Sequence, residues 1–150
     1  MDIAFIIDPL PTLKAYKDSS IAMMRAAAKR GHTIHTLEQS DLVWRGRNVE
    51  ARVQAITVHD DNAHWHDLGP VSLRTLDEFD AVIMRKDPPF DMEYVYSTYL
   101  LELAEQAGAR VFNKPRAIRD HNEKMAIAKY AEHIAPTIAQ PLRSAIGLAP

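Results

Sequence analysis

Two loops in this 150-residue chain carry side chains whose types and spacing suit the capture of a small anionic molecule. The first, Lys17-Asp18-Ser19-Ser20, stands directly before a helical run. Backbone N–H groups at a helix start, two hydroxyls and the positive end of the helix dipole together can hold an anionic group. The same residues also serve as ordinary N-caps, a position where Asp and Ser are strongly preferred. The second loop is Met84-Arg85-Lys86-Asp87-Pro88-Pro89-Phe90-Asp91, two cations beside two acids with a rigid proline pair between them. Such a pair limits the entropy lost when a loop orders around a ligand. The planar guanidinium of Arg85 matches the fork of a carboxylate. The alternative for this run is a surface turn with a local Arg–Asp ion pair, worth about 0–1 kcal/mol.

Other reactive-looking residues have plainer explanations. Asn113-Lys114-Pro115 and Asn122-Glu123-Lys124 each contain a lysine, and a lysine on a helix is ordinarily solvated. His59, Asp60, Asp61, His64 and His66 are near enough in sequence to suggest a metal site. They lie without helical or strand spacing, and the segment reads as a solvated loop. There is no Gly-x-Gly-x-x-Gly, Walker loop or nucleophile elbow. The absence of cysteine excludes thiol catalysis, disulfides and cysteine-ligated zinc.

The elements that must position the two loops follow from apolar patterning. Ile3 to Ile7 is a short apolar run ended by Asp8-Pro9, the signature of a strand buried on both faces. After a loop from Leu10 to Lys17, a helix runs to about Arg30 with Ala22, Met23, Ala26 and Ala27 as its apolar stripe, and Gly31 stops it. His32 to Leu37 forms a second strand, and Val43 to Val58 an inserted β-hairpin. Residues 59–75 are polar and His-rich and read as a variable loop. Phe79 to Met84 is another buried strand. It precedes a helix from about Met92 to Ala107 whose buried face is Tyr96, Tyr99, Leu100, Leu103 and Ala104. A short strand, Arg110 to Phe112, and a last helix from about Asp120 or Asn122 to His133 complete the pattern. The proline-bearing stretch after Ala135 reads as a linker or frayed tail. The fold class is α/β, an open, mostly parallel sheet with an inserted β-hairpin. Both candidate loops follow strand carboxyl ends, where such sheets bind ligands.

With 47% hydrophobic residues and 25% charged residues, the chain has the composition of a globular domain that buries a core. A net charge of −2 gives no electrostatic basis for a nucleic acid or anionic membrane partner. The N-terminal apolar run is too short to cross a bilayer and no basic residue precedes it, so a cytoplasmic location is expected.

Asp8-Pro9, Lys17-Asp18-Ser19-Ser20, the MRKDPPFD run at 84–91, Asn113-Lys114-Pro115 with Arg119-Asp120, and Asn122-Glu123-Lys124 occur in an order that resembles prokaryotic glutathione synthetase, over about residues 1–135. The resemblance implies a pre-ATP-grasp, Rossmann-like N-terminal domain at residues 1–121. It implies that 122–150 are the start of a linker to an ATP-grasp domain and a truncated tail. The implied reaction is ATP-dependent joining of γ-glutamylcysteine and glycine, through an acyl phosphate, to make glutathione. The full-length family uses ATP and Mg²⁺; the resemblance places the metal ligands and catalytic residues outside this chain, which is expected to be inactive alone. It assigns Lys17, Asp18, Ser19, Ser20 and Arg85 to the substrate and Lys124 to the nucleotide, and it implies a homo-oligomer. A non-catalytic γ-glutamyl peptide-binding module and an oligomerisation module are the alternatives.

Overall fold

In the computed structural model, which describes residues 1–121 and 123–137, strand β1 (Asp2–Ile6) runs through the middle of the sheet. Its side chains alternate between two apolar layers: Ile3 and Phe5 on one face, Ala4 and Ile6 on the other, all buried. A strand apolar on both faces must be covered on both. Helix α1 (Ser19–Lys29) covers the first face through Ile21, Met24 and Ala27. Helix α2 (Met92–Gln106) covers the second through Tyr94, Leu101 and Ala104.

Strand β1 pairs in parallel with β2 (Thr33–Leu37) and with β6 (Ala81–Met84), and β7 (Val111–Phe112) extends the parallel set beyond β6. Beyond β2 the sheet turns antiparallel, where β4 (Asn48–Val58) pairs with β2, β3 (Leu42–Arg45) and β5 (His66–Thr75). The result is a seven-stranded sheet in the order β3-β4-β2-β1-β6-β7, with β5 also on β4. This is the expected α/β architecture with a hairpin insertion between β2 and β6. Contacts divide the chain into two compact units, Met1–Arg119 and Asp120–Pro150. The short helix α3 (Pro115–Asp120) ends at that division, and the second unit contains α4 (Glu123–Ala126) and a 3-10 stretch, Ile127–His133. The continuous last helix expected to His133 is therefore broken, with non-helical backbone at Tyr130.

Three local expectations differ from what forms. Ala22, Met23 and Ala26 of the expected α1 stripe are exposed. The helix instead buries Ile21, Met24 and Ala27, and a stripe with Ile21 and Met24 removes more apolar area than one with Ala22, Met23 and Ala26. In α2, Tyr96, Tyr99 and Leu103 face outward, Leu100 is partly buried, and of the expected face Ala104 is fully inside. The inward stripe is Tyr94, Ser97, Thr98, Leu101 and Ala104. Its two hydroxyls bond back into the helix, Ser97 Oγ donating to Tyr94 O at 2.8 Å and Thr98 Oγ1 to Val95 O at 2.6 Å, and Thr98 Oγ1 also accepts from Arg119 Nη1 at 3.0 Å. The third difference is the segment 59–75, whose second part is strand β5 rather than loop. It lies on the sheet edge with most side chains exposed, so it lacks the apolar alternation that marks a half-buried strand. Gly69-Pro70 falls where the β4–β5 register shifts between Gln54 and Ile56, a position that tolerates proline's missing N–H.

His35 on β2 is buried, and among the described residues neither ring nitrogen has a hydrogen-bond partner. Its ring meets Phe79 edge-on, 5.3 Å between centroids. Burial, and then the Arg74 guanidinium, push its pKa below the ordinary histidine value, against a smaller opposing pull from Asp2. A histidine held neutral in the fold takes up a proton on unfolding. Its contribution to stability is therefore complete above about pH 6.5 and is lost as pH falls from there toward the depressed folded value. Thermal melts between pH 7.5 and 5.5 should show Tm falling with pH. His35→Leu should flatten that slope without abolishing it, because His66 is shifted in the same direction.

Candidate functional site

The in-register pairing of Ile6 with Met84 ends β1 and β6 side by side. Whatever follows those strands emerges at one carboxyl edge, which brings Asp8 and the 85–87 segment together. The Arg85 N–H donates to Ile6 O at 2.8 Å and extends the ladder by one more bond. Helix α1 begins at the same edge. Asp18 caps it, with Oδ1 accepting from the Ser20 N–H at 2.7 Å and the Ile21 N–H at 3.1 Å. From the other side, Arg85 Nη2 donates to Ser19 Oγ at 2.6 Å and Nε to Ser20 Oγ at 3.3 Å. Two loops separated by more than sixty residues thus form one wall.

Asp8 braces the second loop. Its Oδ1 lies 2.7 Å from Lys86 Nζ and its Oδ2 accepts the Asp87 N–H at 2.9 Å. Lys86 Nζ also donates to the Asp87 carbonyl at 2.7 Å. The ion pair in this loop is therefore Lys86–Asp8, while Arg85 bonds neutral hydroxyls. Among the described residues no carboxylate makes an ion pair with Arg85, which leaves its charge available to a ligand.

Asp8, Asp18, Ser19, Ser20, Arg85 and Asp87 line an open cleft of about 400 Å³, together with Thr12, Leu13, Lys14 and Lys17. That volume falls within the range of about 300–1,000 Å³ usual for small-molecule sites. Its lining mixes cations (Lys14, Lys17, Arg85) with carboxylates (Asp8, Asp18, Asp87). Asp18 occupies the amides of Ser20 and Ile21, so attraction for an anion comes from Arg85, Lys17 and the hydroxyls more than from those helix-start N–H groups. Capping and cleft lining hold together in the same four residues.

Lys17, Asp18, Ser19, Ser20 and Arg85, all expected from sequence, meet in this cleft. Asp8 and Asp87 were not among the assigned residues, although Asp8 lies two residues past the end of β1 much as Arg85 directly follows β6. That shared position after two buried strands was the available signal. Lys124 belongs to α4 in the second unit, and its side chain lies outside the described residues. Lys114 pairs with Glu105 at 2.6 Å. Arg119 pairs with Glu102 and lies over the Tyr99 ring, 4.3 Å from its centroid. Among the described residues, His59, His64 and Asp67 bring one nitrogen or oxygen atom each within 4.8 Å of one another. Two imidazoles do not suit Mg²⁺, which takes oxygen ligands, so no magnesium chemistry is derived from them.

An open α/β sheet flanked by helices, with its cleft beyond the carboxyl ends of β1 and β6, defines a Rossmann-like domain. The chain belongs to the prokaryotic glutathione synthetase family, matching the model of that family's N-terminal domain over residues 1–119. It is 58% identical over 138 residues to the glutathione synthetase of Ralstonia nicotianae, covering 92% of this chain and 43% of that relative. It is 51% identical over 141 residues to that of Nitrosomonas europaea, covering 92% and 44%. Identity to the Pseudomonas aeruginosa protein is 42% over 136 residues, covering 91% and 43%. The chain thus spans less than half the length of these curated relatives. No helix among the described residues is long and apolar enough to cross a membrane.

Two substitutions separate bracing from capping. Asp8→Ala strands the half-buried Lys86 ammonium and frees the Asp87 N–H, and should lower unfolding free energy by about 1–3 kcal/mol. Asp18→Ala removes the α1 cap and should cost about 1 kcal/mol. Urea melts monitored by circular dichroism measure both; an unchanged midpoint for Asp8→Ala would refute the bracing role.

Proposed function

We propose that this domain forms the substrate-binding wall of an ATP-dependent ligase that joins γ-glutamylcysteine to glycine. Lys17, Asp18, Ser19, Ser20 and Arg85 hold the dipeptide or the product glutathione. The observation that carries the reading is Arg85, seated against Ser19 and Ser20 with its charge unmatched by a carboxylate. The mixed lining suits a zwitterionic peptide: its carboxylates meet Arg85 and Lys17, and its ammonium meets Asp87, on the same loop as Arg85. Mg²⁺ and the phosphates of ATP are handled in the part of the relatives that this chain does not cover. In that scheme residues 1–121 are the substrate domain and 122–150 begin the connection to the nucleotide-binding domain. Lys124 is the nucleotide contact, on the strength of the family likeness alone. The enzyme works in the cytoplasm.

Calorimetric titration of the 150-residue chain with γ-glutamylcysteine and with glutathione, without ATP, tests the binding role. Saturable binding is expected, and Arg85→Met should weaken it about 10- to 100-fold, the cost of a charge-assisted fork. Affinity indifferent to Arg85→Met would refute the assignment. With ATP, Mg²⁺, γ-glutamylcysteine and glycine supplied, these residues alone should release no phosphate above background.

A second reading, an oligomerisation role, is favoured by the outward face of α2. Met92, Tyr96, Tyr99 and Leu103 are exposed at 62%, 62%, 49% and 37% and recur at the spacing of one helical stripe. Light scattering should then report a homo-oligomer that Tyr96→Glu disperses; a monomeric wild type would count against it.

A further inference from the structure

We propose that His59, His64 and Asp67, at the connection between β4 and β5, bind one divalent ion of the borderline transition-metal class, such as Zn²⁺, Ni²⁺ or Cu²⁺. None of the three lines the cleft described above. His59 Nε2 lies 2.8 Å from Asp67 Oδ2, and His64 Nε2 lies 2.7 Å from Asp67 Oδ1. One donor atom from each residue falls within 4.8 Å of the other two. The imidazole rings are nearly parallel, 19° between planes and 5.5 Å between centroids, so both present the same nitrogen to the same carboxylate. Donors around a tetrahedral ion at about 2.1 Å stand about 3.4 Å apart. The two His–Asp pairs, at 2.8 and 2.7 Å, therefore have to open by about 0.6–0.7 Å, within the reach of exposed side chains.

The backbone beneath these ligands is already held. Arg25 reaches from α1 and donates through Nε to His59 O at 2.8 Å, Nη2 to Asp61 O at 3.0 Å and Nη1 to Asn62 Oδ1 at 3.1 Å. The His59 N–H donates to Trp65 O at 2.7 Å, and the Trp65 side chain is buried in the α1-side core. Lys29 of α1 pairs with Asp60 at 3.0 Å. A loop ordered before the ion arrives loses little further entropy on binding it.

The donor set selects the ion. Neutral imidazole suits Zn²⁺, Ni²⁺ and Cu²⁺, and the mixture with one carboxylate disfavours Mg²⁺ and Ca²⁺, which take all-oxygen shells. Three protein ligands leave a fourth position for water, the arrangement of an open rather than a closed structural site.

Titration of ZnCl₂ into the metal-free 150-residue chain at pH 7.5 tests this directly. One ion per chain is expected. His64→Ala, His59→Ala and Asp67→Asn should each weaken binding at least about tenfold, while His32→Ala leaves it unchanged. His64 is exposed and its replacement leaves the fold intact, which circular dichroism checks. Co²⁺ in place of Zn²⁺ should give visible absorption that His64→Ala abolishes. Absence of saturable Zn²⁺ binding, or binding undiminished by both His64→Ala and Asp67→Asn, would overturn the proposal.

Discussion

The structure depends on a single constraint: β1 is apolar on both faces and must be sandwiched between two helical layers while its edges are hydrogen-bonded to β2 and β6. Once β1 and β6 run parallel in register, their following residues share one edge of the sheet. No separate interaction is needed to bring Asp8 toward Lys86, or Arg85 toward the start of α1. The polar contacts there refine a placement that burial of Ile3, Phe5, Ala4 and Ile6 has already imposed. This ordering is physically sensible, because apolar burial supplies the larger free energy and exposed ion pairs supply little.

Within that placement the distribution of charge matters more than its sum. Lys86 is neutralised by Asp8, and Asp18 is committed to backbone amides. Arg85 is held in position by hydroxyls, which orient a guanidinium without cancelling its charge. A carboxylate in place of Ser19 would fix the same side chain and at the same time remove its attraction for an anionic ligand. The cleft lies within the Met1–Arg119 unit, the part of the chain that the family model matches.

The antiparallel insertion is built on different terms. Strand β5 has little buried surface of its own and is held by its pairing with β4 and by the neighbouring Trp65 anchor. Arg25 ties the preceding loop to α1, the helix whose first turn lines the cleft. Because the hairpin returns the chain antiparallel, it brings Asp67 back against His59 and His64. The imidazole–carboxylate cluster is a product of that reversal.

Much was legible from the residues alone. The buried β1 and β6, the capping Asp18, the inserted hairpin and the five cleft residues each leave a local mark: an apolar run, a cap ahead of a helix, or a charged loop after a strand. The residues alone could not choose between the apolar stripes of α1 and α2, since both helices carry apolar side chains on more than one side. That choice falls to the sheet, which accepts Ile21, Met24 and Leu101 and leaves Met23, Tyr96 and Tyr99 in solvent. Nor could they show β5, because an exposed edge strand has no alternation to display. The convergence of His59 and His64 on Asp67 was equally hidden, since chelating geometry requires a known path of the chain. Sequence determined which segments could be elements and which loops carried charge. Tertiary structure decided which faces turned inward and which distant side chains met, because both depend on pairing partners that local patterns do not encode.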